Sequence, residues 1–263
     1  MPYDDSPAGA MAQVERFGRG APLLCLHGGG GLTSSAGFFQ ALGERYEVIA
    51  IRQPGFDGTE APDWLESIQD VALFHLDAMD AMGIGKAHVL GLSLGGWLGM
   101  EMGVLAPERI ASLTLVGAPG LTVPGVLPAD NFLWDEDERV RRMVHDPALA
   151  ERMLATLATL NQDPAAQAAA IGAWASLARL AWSPRWVSPR LDKWAGRLRM
   201  PAHVIWGAQD QLFPAAYVDH YLATLPDARA TVLPDCGHLV HVERADALRE
   251  VALAFLDAQE ALA

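Results

Sequence analysis

The chain predicts an α/β fold: a mostly parallel, doubly wound sheet with helices on both faces and a helical segment inserted into it. Three observations predict it. Short apolar runs alternate with longer stretches of helical spacing, as strands and crossover helices do when a parallel sheet is buried on both faces. Leu121 to Ala195 breaks that alternation and holds no strand-like run. The pentad Gly91-Leu92-Ser93-Leu94-Gly95 stands where an apolar run hands over to a helix-forming one.

In chain order, Val14–Phe17 reads as an N-terminal edge strand, and Pro22–His27 as a short buried strand that enters a glycine loop. Tyr46–Ile51 is a further strand. Leu65–Met82 has helical spacing, with Ile68, Val71, Ala72, His75, Leu76 and Met79 on one side. Ala87–Leu90 and Ser112–Val116 are strands, the latter ended by Gly117-Ala118-Pro119-Gly120. Beyond the insertion come strands at Ala202–Trp206 and Ala230–Leu233, then a helix from about Ala245 to Ala258 with an apolar stripe of Leu248, Val251, Ala252, Phe255 and Leu256. Residues 1–120 and 196–263 are thus expected to form one core, and 121–195 a helical cap. Within the cap, helices are expected near Asp135–His145, Pro147–Leu160 and Pro164–Trp182. The cap also carries five of the eight tryptophans: Trp134, Trp174, Trp182, Trp186 and Trp194. Buried aromatic residues mostly serve cores. Trp134, Trp174 and Trp182 are the candidates for facing a pocket.

Composition sets bounds. With 263 residues, 51% of them hydrophobic, the chain can bury a large core. Nineteen basic against 32 acidic residues leave a net charge of −13. Such a surface repels phosphate backbones and anionic lipid, so neither nucleic acid nor a membrane is an expected partner. Met1-Pro2-Tyr3-Asp4-Asp5 is acidic and does not read as a signal peptide, and the expected location is the cytoplasm. Two cysteines, Cys25 and Cys236, imply no disulfide framework. No cofactor or metal is called for, and the expected partner is a small-molecule substrate.

The pentad has a physical logic. A serine between strand and helix sits on a sharp, strained turn that pushes its hydroxyl out of the sheet. The strand and helix approach closely there, so Gly91 and Gly95 must be small. The N–H of Leu94, at the helix start, is placed to donate to an oxyanion. A serine hydroxyl needs a base, and the base needs a carboxylate to hold its tautomer. His238, in Asp235-Cys236-Gly237-His238, follows a strand directly and is led by a glycine that frees the loop to aim the ring; His241 is the rival. Asp210, in Trp206-Gly207-Ala208-Gln209-Asp210, also follows a strand, although aspartates there often only cap turns; Asp219 and Asp227 lie further on. No acid follows Val116. The second oxyanion donor is expected in His27-Gly28-Gly29-Gly30-Gly31, at Gly29 or else Gly30. That loop lacks the lysine of a phosphate loop and the helix opening of a dinucleotide fingerprint. His27 is expected to bond loop backbone rather than to react.

Taken together, Gly91–Gly95, the His27-Gly28 loop, Trp206-Gly207-x-x-Asp210 and Gly237-His238 resemble the α/β-hydrolase superfamily over nearly the whole chain. The resemblance implies a capped fold, with the cap between the sixth and seventh core strands, and the triad Ser93, Asp210 and His238. Pro54-Gly55-Phe56-Asp57-Gly58-Thr59 resembles the family's Pro-Gly-aromatic-Gly loop after the fourth strand, but Arg52 stands where an aspartate is common and Asp57 intervenes before Gly58. A serine nucleophile disfavours the dehalogenase and epoxide hydrolase relatives. The leading expectation is a carboxylesterase-like serine hydrolase acting on an ester of an apolar or aromatic small molecule. The alternatives are carbon–carbon bond hydrolysis of a dienoic diketone, a cofactor-free perhydrolase, and a ligand receptor on the same fold. Carbon–carbon hydrolases typically carry a tryptophan after the histidine and an arginine in the cap. Here Leu239 follows His238, while Arg179 or Arg185 could supply the cation.

Overall fold

A computed structural model describes residues 12–262, so the acidic N-terminal pentapeptide read above lies outside the described residues. Among these residues seven strands form one sheet in the order β1-β3-β2-β4-β5-β6-β7. They are β1 (Val14–Phe17), β2 (Pro22–Leu26), β3 (Glu47–Ile51), β4 (Ala87–Leu92), β5 (Ile110–Val116), β6 (Ala202–Gly207) and β7 (Ala228–Leu233). Only β1 runs antiparallel, pairing Val14 with Ile51 at the edge; the rest are parallel.

The helices of the main body are α1 (Ala36–Leu42), α2 (Ile68–Ala81) and α3 (Leu94–Leu105). The segment between β5 and β6 holds α4 (Glu136–Met143), α5 (Pro147–Leu160), α6 (Pro164–Ala181) and α7 (Pro189–Trp194). The chain closes with α8 (Ala216–Thr224), α9 (Val240–Glu243) and α10 (Ala245–Glu260).

Strand alternation divides the core in two. Leu24, Leu26, Ile49, Ile51 and Val89 face one side, against α2, α3 and α8. Leu23, Cys25, Val48, Ala50 and Leu90 face the other, against Phe38, Phe39 and Leu42 of α1 and Leu248, Ala252, Phe255 and Leu256 of α10. Side chains two apart share a face, so a run such as Leu23–Leu26 feeds both cores at once. Both cysteines are free and buried.

Several boundaries differ from the sequence reading for local reasons. The first helix after β3 starts at Ile68 rather than Leu65, because Ser67 and Asp70 form a capping box that fixes the start. β4 runs two residues further, to Leu92, and is buried throughout. The inserted segment follows the fifth described strand rather than a sixth, and the Pro54–Thr59 loop follows the third. That segment also holds α7, which is too short to show periodicity; its signal was the Ser188-Pro189 start, where the Ser188 hydroxyl accepts from the Leu191 N–H at 3.1 Å. Gly120 and Val187 form a single bridge at the base of the segment, where Ser188 N–H donates to the Gly120 carbonyl at 2.7 Å.

Candidate active site

Three loops at the carboxyl ends of β2, β4 and β7 and one after β6 converge on Ser93. Ser93 stands between β4 and α3 at φ 50°, a conformation that costs a non-glycine residue about 1–3 kcal/mol. Its neighbours show why the turn requires glycine. A Cβ on Gly91 would stand 2.3 Å from the Gly95 carbonyl, and one on Gly95 would stand 2.1 Å from the Leu26 carbonyl. The turn is held by Ser93 N–H donating to the Val116 carbonyl at 2.8 Å.

His238 and Asp210 come to the serine as the sequence expects. Ser93 Oγ lies 3.0 Å from His238 Nε2, and His238 Nδ1 lies 2.7 Å from Asp210 Oδ2. Asp210 Oδ1 accepts from the backbone N–H groups of Leu212 and Phe213 at 2.8 and 2.9 Å. A carboxylate can only accept, so Nδ1 carries the ring proton and the Nε2 lone pair faces the serine hydroxyl. Both partners are buried, and the Phe213 ring meets the imidazole edge-on at 5.2 Å. Gly117, directly after β5, leaves the room the imidazole occupies: a Cβ there would lie 3.3 Å from its Cε1. The rivals stand elsewhere. Asp219 and Asp227 are exposed. His241 is half-buried against the cavity, its pKa pushed down to about 4 by burial and then by His238.

The glycine loop lies beside the serine. A Cβ on Gly28 would lie 3.4 Å from Ser93 Cβ, and one on Gly29 would lie 3.0 Å from Leu177 of α6. Among the described residues, the N–H groups of Leu94, Gly29 and Gly30 donate to no acceptor within the chain. His27 braces the loop, as expected: Nδ1 donates to the Gly28 carbonyl at 2.8 Å and Nε2 accepts from Gln53 N–H at 3.0 Å. Burial pushes this imidazole down to about 4, so it stays neutral. Asp57, the residue that interrupts the Pro-Gly-aromatic-Gly pattern, accepts from Leu32 N–H at 2.5 Å and so ties that loop to the glycine turn; Arg52 pairs instead with Glu15.

Above Ser93 is a cavity of about 440 Å³. Its walls are mainly apolar: Val140, Met143, Met153, Leu157, Trp174 and Leu177 come from the inserted segment, and Leu212, Leu239 and Val242 from the main body. Of the three candidate tryptophans, only Trp174 lines it. Trp182 is 48% exposed and carries Arg185 over its ring at 4.5 Å, and Trp134 lies under Arg142. Trp186 lines the cavity and was missed, since it sits in an irregular turn at φ 56° where no periodicity marks its direction. It is oriented by Nε1 donating to Asn131 Oδ1 at 2.9 Å. The cations singled out from sequence also point elsewhere. Arg179 donates to the Leu65 carbonyl, and Arg185 pairs with Asp130. The arginine that reaches the cavity is Arg139, stacked over Trp174 at 4.6 Å and 3.8 Å from Glu136.

Among the described residues no cluster of three His, Cys, Asp or Glu side chains is arranged to hold a metal ion, and no helix is long and apolar enough to cross a membrane.

A mostly parallel sheet with a serine on a strained strand-to-helix turn, abutting a histidine and a buried aspartate, defines a hydrolase architecture. The chain belongs to the α/β-hydrolase fold family, whose profile matches residues 21–245. It is 29% identical to a 2-hydroxy-6-oxo-6-phenylhexa-2,4-dienoate hydrolase of Burkholderia cepacia, over 91% of this chain and 88% of that one. The same fold is found in the meta-cleavage product hydrolase CumD of Pseudomonas fluorescens IP01 (23% identical, TM-score 0.77, 94% of each chain). It is also found in a naproxen esterase of Bacillus subtilis (20% identical, TM-score 0.71, 93% of this chain and 87% of that one).

Proposed function

We propose that the protein is a serine hydrolase that cleaves a carboxylic ester of an apolar or aromatic small molecule through an acyl-enzyme. The observation that carries this reading is the continuous chain Ser93–His238–Asp210, with links of 3.0 and 2.7 Å, at the floor of an apolar cavity. Ser93 Oγ attacks the acyl carbon while His238 Nε2 takes its proton, and Asp210 stabilises the imidazolium. The N–H groups of Leu94 and Gly29, with Gly30 next in line, receive the oxyanion at the positive end of α3. The proton on His238 passes to the leaving alcohol; water then attacks the acyl carbon while His238 takes its proton, and His238 returns that proton to Ser93 Oγ as the Oγ–acyl bond breaks and the acid leaves. Residues 121–195 act as the lid that selects the substrate, with Trp174 and Trp186 as its aromatic contacts.

A second reading is favoured by two observations. The Burkholderia relative is by name a dienoate hydrolase, and Arg139, with Glu136 beside it, places a cation at the wall of a mainly apolar chamber. The same serine would then cleave a carbon–carbon bond of a dienoic diketone. Leu239, where a tryptophan is typical of such enzymes, weighs for the ester. A panel of p-nitrophenyl esters of graded acyl length, run beside a dienoic diketone, separates the two. Ester turnover that rises with acyl length and is abolished by Ser93→Ala is expected. Diketone cleavage with kcat/KM above that of every ester would transfer the assignment, and a Ser93→Ala variant retaining a tenth of wild-type activity would remove Ser93 from the mechanism.

A further inference from the structure

Glu243 ends α9, five residues beyond His238, and its carboxylate is shared between two parts of the molecule. Oε2 accepts from Gly237 N–H at 2.6 Å, in the loop that carries His238. Oε1 accepts from His145 N–H at 2.8 Å and Asp146 N–H at 2.9 Å, at the corner between α4 and α5 of the inserted segment. The Met143 carbonyl, beside that corner, accepts from the N–H groups of His238 at 2.8 Å and Leu239 at 3.2 Å. Leu239 packs into the small apolar cluster formed by Val140, Val144 and Ala150 of that segment. No side chain fits at Gly237, where a Cβ would lie 2.7 Å from the Met143 carbonyl and 2.9 Å from both Glu243 Oε2 and His145 N. The loop bearing the histidine is therefore pressed against the insertion and tied to it by five backbone N–H groups.

We propose that Glu243 is a positioning residue that couples the seating of the α4–α5 corner to the alignment of His238 with Ser93. The coupling rests on the reading of Ser93 and His238 given above. Its chemistry requires a carboxylate. All three partners are N–H donors, so both oxygens must accept; an amide would present its NH₂ to one of them. Aspartate keeps both acceptors but is one methylene too short to span the two elements. Displacing the corner pulls on Gly237 through the carboxylate and on His238 through the Met143 carbonyl, and the imidazole leaves the serine.

A fluorophosphonate probe tests this without any substrate. Ser93 Oγ forms a bond to phosphorus, the phosphorus–fluorine bond breaks, fluoride leaves, and the hydroxyl proton goes to His238. Labelling rates are measured for wild type, Ser93→Ala, Glu243→Gln and Glu243→Asp, with circular dichroism and Tm for each. We expect Glu243→Gln to stay folded yet label at least ~10-fold more slowly, since a misplacement of about 1 Å can cost ~100-fold. Glu243→Asp should fall between it and wild type. On p-nitrophenyl esters, kcat should drop alike for short and long acyl chains, with KM little changed. A folded Glu243→Gln that labels within about twofold of wild type overturns the coupling. So does loss of the folded state in both variants, which would make the carboxylate a fold residue. Labelling of Ser93→Ala at the wild-type rate would instead sink the proposed site, independently of Glu243.

Discussion

Replacing Asp210 by asparagine should silence the enzyme while leaving its fold intact, and the geometry shows why. Oδ1 accepts from two backbone N–H groups, Leu212 and Phe213, while Oδ2 faces His238 Nδ1. An asparagine keeps its single oxygen on the two backbone donors, because the reverse orientation would set its NH₂ against both of them. Leaving those buried donors unpaired costs about 1–3 kcal/mol each. The NH₂ therefore faces His238 Nδ1, which must now accept. The ring proton moves to Nε2, where a lone pair is needed to take the serine proton. A wrong tautomer of this kind costs on the order of 10⁴ in rate, about 5.5 kcal/mol of transition-state stabilisation. Asp210→Ala should also lose stability, because both backbone donors lose their acceptor. The assay is kcat/KM on the best p-nitrophenyl ester, with Tm measured in parallel. An Asp210→Asn variant within tenfold of wild type would refute the reasoning, and a selective loss in Asp219→Asn would point to the other acid.

Other consequences follow from burial. Trp174→Ala should change the ranking among esters of different acyl groups, by about 1–3 kcal/mol in ratios of kcat/KM, whereas Trp182→Ala should leave those ratios as they are. Unchanged ratios in Trp174→Ala and Trp186→Ala would move specificity to the core loops. Burial pushes His75 down to about 3 and His27 to about 4, and both ring nitrogens of His75 are buried without a partner among the described residues. Below pH 6.5 the unfolded chain binds protons that these folded imidazoles refuse, so their contribution, complete above pH 6.5, declines from there to about pH 4 for His27 and about pH 3 for His75. Each histidine makes stability fall by about 1.4 kcal/mol per pH unit in that window. Urea midpoints between pH 7.5 and 4.5 should show the decline, and His75→Leu should flatten it; equal slopes in the two proteins would contradict the account.

The sheet, the strained turn at Ser93 and the candidates Asp210 and His238 that meet it are legible in the sequence. Those features are local. A strand buried on both faces is a continuous apolar run, and the turn at Ser93 can be made only with small residues beside it. His238 and Asp210 each follow a strand directly, and parallel strands deliver such loops to one end of the sheet. What the chain lining the cavity would be was left to the tertiary structure. Trp134, Trp174 and Trp182 all lie in a tryptophan-rich segment, yet only Trp174, inside α6, lines the cavity; Trp134 precedes α4 and Trp182 follows α6, where no helical period sets the direction of a side chain. Trp186 and Arg139 reach the cavity through a loop geometry and an aromatic stack that no spacing announces. Glu243 carries no motif at all. Its place became visible only when residues 98 and 97 positions apart, His145 and Asp146, met it across the fold. Backbone periodicity encodes which face of the sheet a residue occupies; contacts between an insertion and a distant loop depend on how whole elements pack, and no short stretch of sequence contains that.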